Sequence, residues 1–302
     1  MIGFSITEAA LTGFRFSREH PSALGLWAMI LAAESILLGL VYASLAPHSV
    51  IQVMGAWRAG AANAAALDQA VAQLLPLEAL VIVVSLAFGA VFQAAMNRAI
   101  LEPSKAAFGF LRLGMDELRQ FLLLALLAVV LMAAYLFAFI ALLVAASLVF
   151  GPGGPPRAEE TFVIFGASGL AILAVAIGLA PRLSLASPLT FARRRVDLFG
   201  SFSLTRRRFW PILAAFVIAA LLALLVWIIG TLAIWALATA AHGGGEPGDL
   251  ISPNLGSLSA YFTPDRCIVL VLGGGLWALV APLLGTPAPA IYRSLAAGRS
   301  GD

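Results

Sequence analysis

The sequence predicts an all-α integral membrane protein with six transmembrane helices, and three observations support this prediction. Of the 302 residues, 62% are hydrophobic and 11% are charged, and the mean hydropathy is +1.00, whereas soluble domains carry about 25% charged residues. Six stretches have the roughly 20 mainly apolar residues that a membrane-spanning helix needs. Basic residues are concentrated in alternate loops, which is typical of multi-spanning proteins. We therefore treat residues 1–302 as a single membrane domain.

The N-terminal segment, residues 1–21, is predicted to lie at the membrane interface before the first span. Ser5 and Glu8 have the spacing of a capping box at a helix N-terminus. Three apolar residues share a face of this helix: Phe4, Leu11 and Phe14. We expect either an interfacial helix or a helix packed beneath the bundle. The apolar stretch that follows is longer than the core of a secretory signal, so we expect a retained first span.

The six predicted spans are the longest apolar stretches of the chain. They cover residues 22–45, 77–98, 121–149, 162–187, 210–240 and 266–295. The loops "GPGGPP" (151–156) and "HGGGEPGD" (242–249) contain the glycines and prolines that interrupt helices. We therefore expect separate helices joined by loops.

The distribution of basic residues predicts the orientation of the chain. Fifteen of the 18 lysines and arginines lie in the N-terminal segment, at 98–120, at 182–208 and near the C-terminus. The alternate loops hold only Arg58, Arg157 and Arg266. Because cytoplasmic loops carry the excess of positive charge, we expect both termini in the cytoplasm. The arginine-rich and alanine-rich composition is typical of a GC-rich bacterium, which indicates the cell inner membrane.

The cytoplasmic segments 99–120 and 188–209 are predicted to lie at the membrane surface. Within 104–122, apolar residues recur at helical spacing and charged residues fall on the opposite face. The apolar set is Phe108, Leu111, Met115, Leu118 and Leu122, and the charged set is Lys105, Arg112, Asp116 and Arg119. This pattern predicts a helix over 104–122, lying in the membrane surface or packed under the bundle.

Two parts of the chain resemble each other. The segment "AFGFLRLGMDELRQFLL" (107–123) aligns with "LFGSFSLTRRRFWPILA" (198–214), and an Arg-to-Pro element precedes each, "RAILEP" (98–103) and "RLSLASP" (182–188). The C-terminal "APAIYRSL" (288–295) resembles a degenerate third copy. The alignment predicts parallel repeats of span, surface helix and span.

These motifs also resemble a known group of proteins. "RLSLASP" followed by "FGSFSLTRRRFWPIL", with "FRFSREHP" near the start and "APAIYR" near the end, resembles a group of six-span bacterial inner-membrane proteins. Its best-named member is the membrane domain found beside glycerophosphoryl diester phosphodiesterases. The resemblance covers most of the chain and implies a fold and a membrane, not an activity. Where that family has a glycine in the "LTRRRFW" motif, this chain has Arg207.

Arg182 stands at the end of the fourth span, between Pro181 and Pro188. If the span ends at 181, the guanidinium group lies at the interface and can reach phosphate groups. If the helix continues to 187, Arg182 lies deeper and needs a partner. We expect Arg182 either to anchor the span or to contact a phosphate of a headgroup or substrate. Ser184 and Ser187 are candidates to bond the carbonyls that the prolines free.

Four polar residues within or at the ends of the first two spans form a second candidate site: Glu34, Gln93, Asn97 and Arg98. Glu34 lies near mid-depth, where a charged side chain costs about 2.5–3.5 kcal/mol. We consider three roles for Glu34: it pairs with Arg98 or Arg182, it carries protons, or it is a neutral acid bonded to a neighbouring helix. Gln93 and Asn97, one turn apart, are expected to join helices.

Two arginine triplets lie beside aromatic and aliphatic residues between the fourth and fifth spans. They are Arg193, Arg194, Arg195, Arg206, Arg207 and Arg208. Such clusters attract anionic lipid, by about 1 kcal/mol for each cation near the surface. The alternative is that they only set the topology. No nucleic-acid motif accompanies them, so no nucleic-acid partner is expected.

Enzyme motifs are weak in this sequence. "GASG" (166–169) matches the GxSG of rhomboid proteases, but a nucleophile at Ser168 needs a nearby base. All the histidines lie outside the predicted spans: His20, His48 and His242. We therefore expect Gly166 and Gly169 to allow close helix packing, and we expect no enzymatic activity, cofactor or metal.

Two functions fit these observations. The first is a non-enzymatic, anionic-lipid-interacting scaffold or accessory protein that uses Arg182 and the triplets, with phospholipids and a membrane protein as candidate partners. The alternative is a transporter or lipid translocase with a polar site around Glu34 and Arg182. The alternative draws on the apparent repeats and on the Pro- and Gly-interrupted fourth and sixth spans.

Overall fold

The computed structural model describes residues 4–45, 64–104, 106–150, 158–206, 208–241 and 258–297. This part of the chain is helical and contains no strand. Its helices are α1 (Ile6–Ala10), α2 (Thr12–Glu19), α3 (Pro21–Leu45), α4 (Ala64–Leu101), α5 (Met115–Phe150), α6 (Ala158–Leu183), α7 (Ala186–Arg193), α8 (Gly200–Thr205), α9 (Phe209–Ala241), α10 (Leu258–Tyr261), α11 (Pro264–Gly285) and α12 (Pro287–Ala297), with a 3₁₀ turn at Ala107–Phe110.

Six of these helical stretches are long and apolar enough to cross a membrane. They correspond to α3, α4, α5, α6 with α7, α9, and α11 with α12. Many of their large apolar side chains are exposed, including Val129, Phe137 and Leu232. Exposed apolar surface of this extent is unfavourable in water but is matched by lipid. The chain is therefore a multi-pass integral membrane protein with the predicted all-α fold.

The spans form a circuit of neighbours. α3 packs along α11, α11 along α9, α9 against α6, α6 against α5, and α5 against α4. Side chains of α3 and α4 close the circuit: the Trp27 and Phe92 rings lie 5.4 Å apart, and the Tyr42 hydroxyl donates to Glu78 Oε1 at 2.9 Å. The ends of α4 and α6 and the starts of α5 and α9 meet at one end of the bundle. We call it the basic end, because it carries Arg98, Arg182 and Arg206.

A close approach between α3 and α11 depends on one glycine. A Cβ atom on Gly274 would collide with the backbone of Ala32, whereas Gly273 and Gly275 face open space. Small residues at such contacts let membrane helices approach closely. The same role was expected for Gly166 and Gly169, and that expectation is wrong, because a Cβ on either would meet nothing within 4 Å.

The connection between α4 and α5 differs from the predicted helix over 104–122. Phe108, Gly109 and Phe110 have φ values of 52°, 61° and 65°, so the chain makes a left-handed turn that ends in extended backbone at Leu111. The Trp27 indole donates to the Gly109 carbonyl at 2.9 Å, and Phe110 is buried. The amphipathic pattern therefore does not form one surface helix, because tertiary hydrogen bonds hold the turn.

The fourth and sixth predicted spans are each broken near the basic end. α6 ends at Leu183 and α7 begins at Ala186, so the fourth span does not continue as one helix to 187. The Ser184 hydroxyl donates to the Pro181 carbonyl at 2.8 Å, as expected for a serine near a proline break. The sixth span breaks at Thr286, between α11 and α12.

The N-terminal segment forms two short helices at the basic end. The Ser5 side chain accepts from the Glu8 N–H, as predicted for the cap. α1 packs against α9 and α12, and α2 packs against α11. The segment is thus packed under the bundle, while Leu11 and Phe14 remain exposed.

The two aligned segments share some features but not their backbone. Phe108 and Phe199 are 82% and 77% exposed, respectively. Gly109 lies in the left-handed turn, whereas Gly200 begins the right-handed α8. The internal duplication therefore stays a prediction.

Candidate functional site

Arg98 is the centre of a buried polar cluster at the basic end. It is 2% exposed, donates to Glu117 Oε1 at 2.6 Å and also donates to the Phe110 carbonyl. Its guanidinium carbon lies 5.7 Å from the Phe191 ring centroid. Arg98 therefore binds the start of α5 and the left-handed turn to the end of α4. Arg98 therefore does not form the ion pair with Glu34 that was one of the alternatives for that residue.

Hydrogen bonds extend this cluster to α7. The Asn97 amide donates to Ser187 Oγ at 2.8 Å, and that hydroxyl donates to Gln120 Oε1 at 2.9 Å. The Gln120 amide donates to the Ser187 carbonyl at 3.0 Å. Asn97 thus joins α4 to α7, and Ser187 bonds side chains of α4 and α5 rather than the carbonyls expected from the sequence. The cluster is structural, because its polar groups largely satisfy one another.

Arg182 and Arg206 line one small cavity at the basic end. The cavity has a volume of about 200 Å³, and its other lining residues are Phe202, Thr205 and Phe209. Arg182 lies in the last turn of α6 with its guanidinium carbon 5.9 Å from the Phe209 ring centroid. Arg206 directly follows α8. No acidic side chain in the described part of the chain forms an ion pair with either arginine.

Local hydrogen bonds position this cavity. The Ser201 hydroxyl donates to the Arg182 carbonyl at 2.6 Å, which ties the end of α6 to α8. Thr205 is buried and donates to the Ser201 carbonyl at 3.0 Å. Because the Thr205 hydroxyl already donates to backbone, the side-chain donors left among the lining residues are those of the two arginines. The cavity is therefore electropositive and large enough to admit a small anion.

The first arginine triplet has a different environment. Arg193 and Arg195 lie 2.6 Å and 3.8 Å from Asp197 Oδ2, and Arg194, which directly follows α7, has a left-handed backbone conformation. Burial favours the neutral form of Asp197, but the Gly200 N–H and the two guanidinium groups outweigh it and hold the pKa of the carboxyl group below its ordinary value. Asp197 thus compensates part of the triplet's charge.

The second triplet is only partly described. Arg206 is exposed and lines the cavity with Arg182, and Arg208 is partly buried. Arg207, which occupies the position where the resembling family has glycine, lies outside the described residues.

Glu34 and Gln93 line a second, larger cavity. It has a volume of about 600 Å³ and lies between α3, α4 and α11. Ser35, Ser85 and Trp277 also line it, together with apolar side chains. Glu34 forms no ion pair or hydrogen bond with another residue in the part of the chain that the structure describes. The carboxyl group therefore faces a mainly apolar cavity within the membrane-spanning region.

The two cavities are separate sites. Glu34 and Arg182 line different cavities that share no residue, so the predicted single polar site around both residues is wrong. The structure instead groups Glu34 with Gln93, and Arg182 with Arg206. Glu117 and Gln120 were missed as cluster members, because the whole of 104–122 was interpreted as a surface helix from its other residues.

The structure describes only one of the residues on which the hydrolase motif depends. His20 packs against Phe16 and Phe110, with ring centroids 5.1 Å and 5.2 Å apart. The side chain of Ser168, and both His48 and His242, lie outside the described residues.

Comparisons with known proteins add no relative. No family model, curated protein or solved structure matches this chain. The resemblance to the membrane domains of glycerophosphoryl diester phosphodiesterases therefore stays a prediction.

Proposed function

We propose that this protein is a non-enzymatic bacterial inner-membrane protein that binds the headgroup of an anionic phospholipid between Arg182 and Arg206, and that it acts as a lipid-interacting scaffold or accessory subunit. One observation carries the proposal: two arginines without an acidic partner among the described residues line the same small cavity. The cavity lies where α6 ends and α9 begins, at the end of two candidate spans.

The chemistry of the cavity suits a phosphate group. Arginine presents a planar fork of donors that matches phosphate oxygens, and its charge persists at every physiological pH. Lipid phosphates lie at the depth where the ends of spanning helices meet water, and an arginine stem can remain in hydrocarbon while its head reaches them. The Phe209 ring supports the Arg182 guanidinium by a cation–π contact.

The orientation of the chain supports this ligand. The positive-inside rule favours the basic end in the cytoplasm, and the cytoplasmic leaflet has a negative surface potential. An electropositive cavity at that surface therefore lies next to anionic headgroups as well as zwitterionic ones.

Native mass spectrometry of the delipidated full chain with added phosphatidylglycerol or phosphatidylethanolamine tests the proposal. We expect Arg182→Gln with Arg206→Gln to lower phosphatidylglycerol retention at least fivefold and to leave phosphatidylethanolamine retention unchanged. The matched control is Arg15→Gln with Arg18→Gln, which removes the same charge from exposed positions of α2. The control should change phosphatidylglycerol retention less than twofold. Unchanged phosphatidylglycerol retention in the Arg182/Arg206 variant, or an equal loss in that variant and the control, would contradict the proposal.

A second candidate function is transport, and the Glu34 cavity favours it. Transporters hold their substrates in sites near mid-depth between spans, and this cavity has an ionisable side chain, Glu34, near mid-depth. In this case the protein moves a substrate through the cavity between α3, α4 and α11, and flux into proteoliposomes is the corresponding measurement.

A further inference from the structure

We propose that the cavity between α3, α4 and α11 binds a hydrophobic organic cation, with Glu34 as the anionic partner and Trp277 as the aromatic contact. This inference deepens the transport candidate, because it names the ligand class of that cavity. It concerns binding, and it does not depend on the Arg182–Arg206 cavity.

The charge of the cavity points to a cationic ligand. The described residues that line it include no arginine, lysine or histidine. Neighbouring arginines are engaged elsewhere: Arg98 with Glu117, and Arg293 with the Ile100 carbonyl at 3.0 Å. An ionised carboxylate within the hydrocarbon region is costly unless a positive charge accompanies it. A bound cation supplies that charge.

The remaining surface of the cavity suits an organic ligand. Trp277 is 52% exposed and Phe88 also lines the cavity, so aromatic faces are accessible to a cationic centre. The other lining residues are mainly apolar or small, Ser35 and Ser85 add hydroxyl groups, and Gln93 adds an amide. A volume of about 600 Å³ falls in the range of about 300–1,000 Å³ that accommodates small organic ligands.

Other occupants fit the cavity less well. A divalent metal ion takes several oxygen ligands, and Glu34 is the only carboxylate among the described residues of the lining. The headgroup of an anionic lipid would be repelled by the same carboxylate. A hydrophobic cation satisfies both the charge and the apolar walls.

Contacts at either end keep α3 and α4 in place around the cavity. Trp27 packs on Phe92 toward the basic end, and Tyr42 bonds Glu78 toward the opposite end. With a rise of about 1.5 Å per residue, Glu34 lies about 10 Å along α3 from Trp27 and about 12 Å from Tyr42. Glu34 thus lies near the middle of the cavity along α3.

Equilibrium dialysis of tetraphenylphosphonium against the full chain in nanodiscs tests the inference, with empty nanodiscs as the blank. We expect saturable binding, a loss of affinity of at least tenfold in Glu34→Gln, and a change of less than threefold in Glu34→Asp. Asp116→Asn is the matched control, because Asp116 is a carboxylate at the start of α5 that neither lines the cavity nor joins α3 to α4. It should bind within twofold of the unaltered protein.

The anion tetraphenylborate has the same shape as the probe and the opposite charge. We expect it to compete at least tenfold more weakly than unlabelled tetraphenylphosphonium. Equal competition, absence of saturable binding, or full binding by Glu34→Gln with an unchanged melting temperature would each overturn the inference. If the unaltered protein binds the probe but gives no flux in proteoliposomes, the binding inference is supported and only the transport function is contradicted.

Discussion

At the scale of single residues, the same side-chain type has different roles according to its partners. Arg98 is buried, and its charge is compensated by Glu117 and a backbone carbonyl. Arg193 has Asp197 as a partner. Arg182 and Arg206 face a cavity without an acidic partner among the described residues. Partner geometry, and not the arginine count of a segment, therefore distinguishes a structural cation from one that can hold a ligand.

The Arg98–Glu117 pair makes a direct prediction about stability. Removal of one partner of a buried ion pair leaves the other charge uncompensated, which costs about 3–5 kcal/mol. We expect Glu117→Gln to lower the free energy of unfolding by about this amount. Thermal melting in detergent should show a clear fall in the apparent Tm.

Asp116 provides the control for that measurement. Asp116 lies 4.0 Å from Arg98, is more exposed than Glu117 and also pairs with Arg119. Asp116→Asn should therefore cost no more than about 1 kcal/mol. Equal destabilisation by the two variants would contradict the central position of Glu117 in the cluster.

At the scale of elements, long apolar periodicity predicted the helices, while tertiary contacts decided their ends. The six spans follow from apolar stretches alone, because the bilayer requires that length and composition. The helix predicted over 104–122 fails for a non-local reason: Trp27 and Arg98 bond carbonyls of the left-handed turn. The sequence of the segment alone does not show that side chains of α3 and α4 will bond its carbonyls.

The glycines of α11 make the prediction at this scale. Gly274→Ala should force α3 and α11 apart, since the new methyl group meets the Ala32 backbone, at a cost of about 1–3 kcal/mol. Gly273→Ala and Gly275→Ala are matched controls, because both positions face open space. They should be neutral or slightly stabilising by the helix propensity of alanine. A lower Tm for all three variants would show that the destabilisation does not come from the contact between α3 and α11.

The candidate sites were only partly predictable from the sequence. Glu34 and Arg182 were recognised because ionisable residues are rare in apolar stretches. Their separation into two cavities depends on which spans are neighbours, and hydropathy does not encode that order. The grouping of Arg182 with Arg206 also required the turn between α7 and α8, where Asp197 accepts from the Gly200 N–H.

At the scale of the whole molecule, positive charge is distributed unequally between the two ends of the bundle. The basic end carries the Arg182–Arg206 cavity, and the opposite end carries the Tyr42–Glu78 bond. If the basic end faces the cytoplasm, its cavity lies next to the anionic leaflet, and the short helices α1, α2 and α8 lie at the same end of the bundle. The lipid proposal therefore depends on the orientation.

Cysteine accessibility tests that orientation most directly. In a Cys267→Ala background, Ser203→Cys places a thiol at an exposed position of α8, and Ser44→Cys places one near the opposite end of α3. With a membrane-impermeant maleimide, we predict labelling of Ser44→Cys in spheroplasts and labelling of Ser203→Cys only after the membrane is permeabilised. Labelling of Ser203→Cys in intact spheroplasts would place the basic end outside the cell and contradict the account.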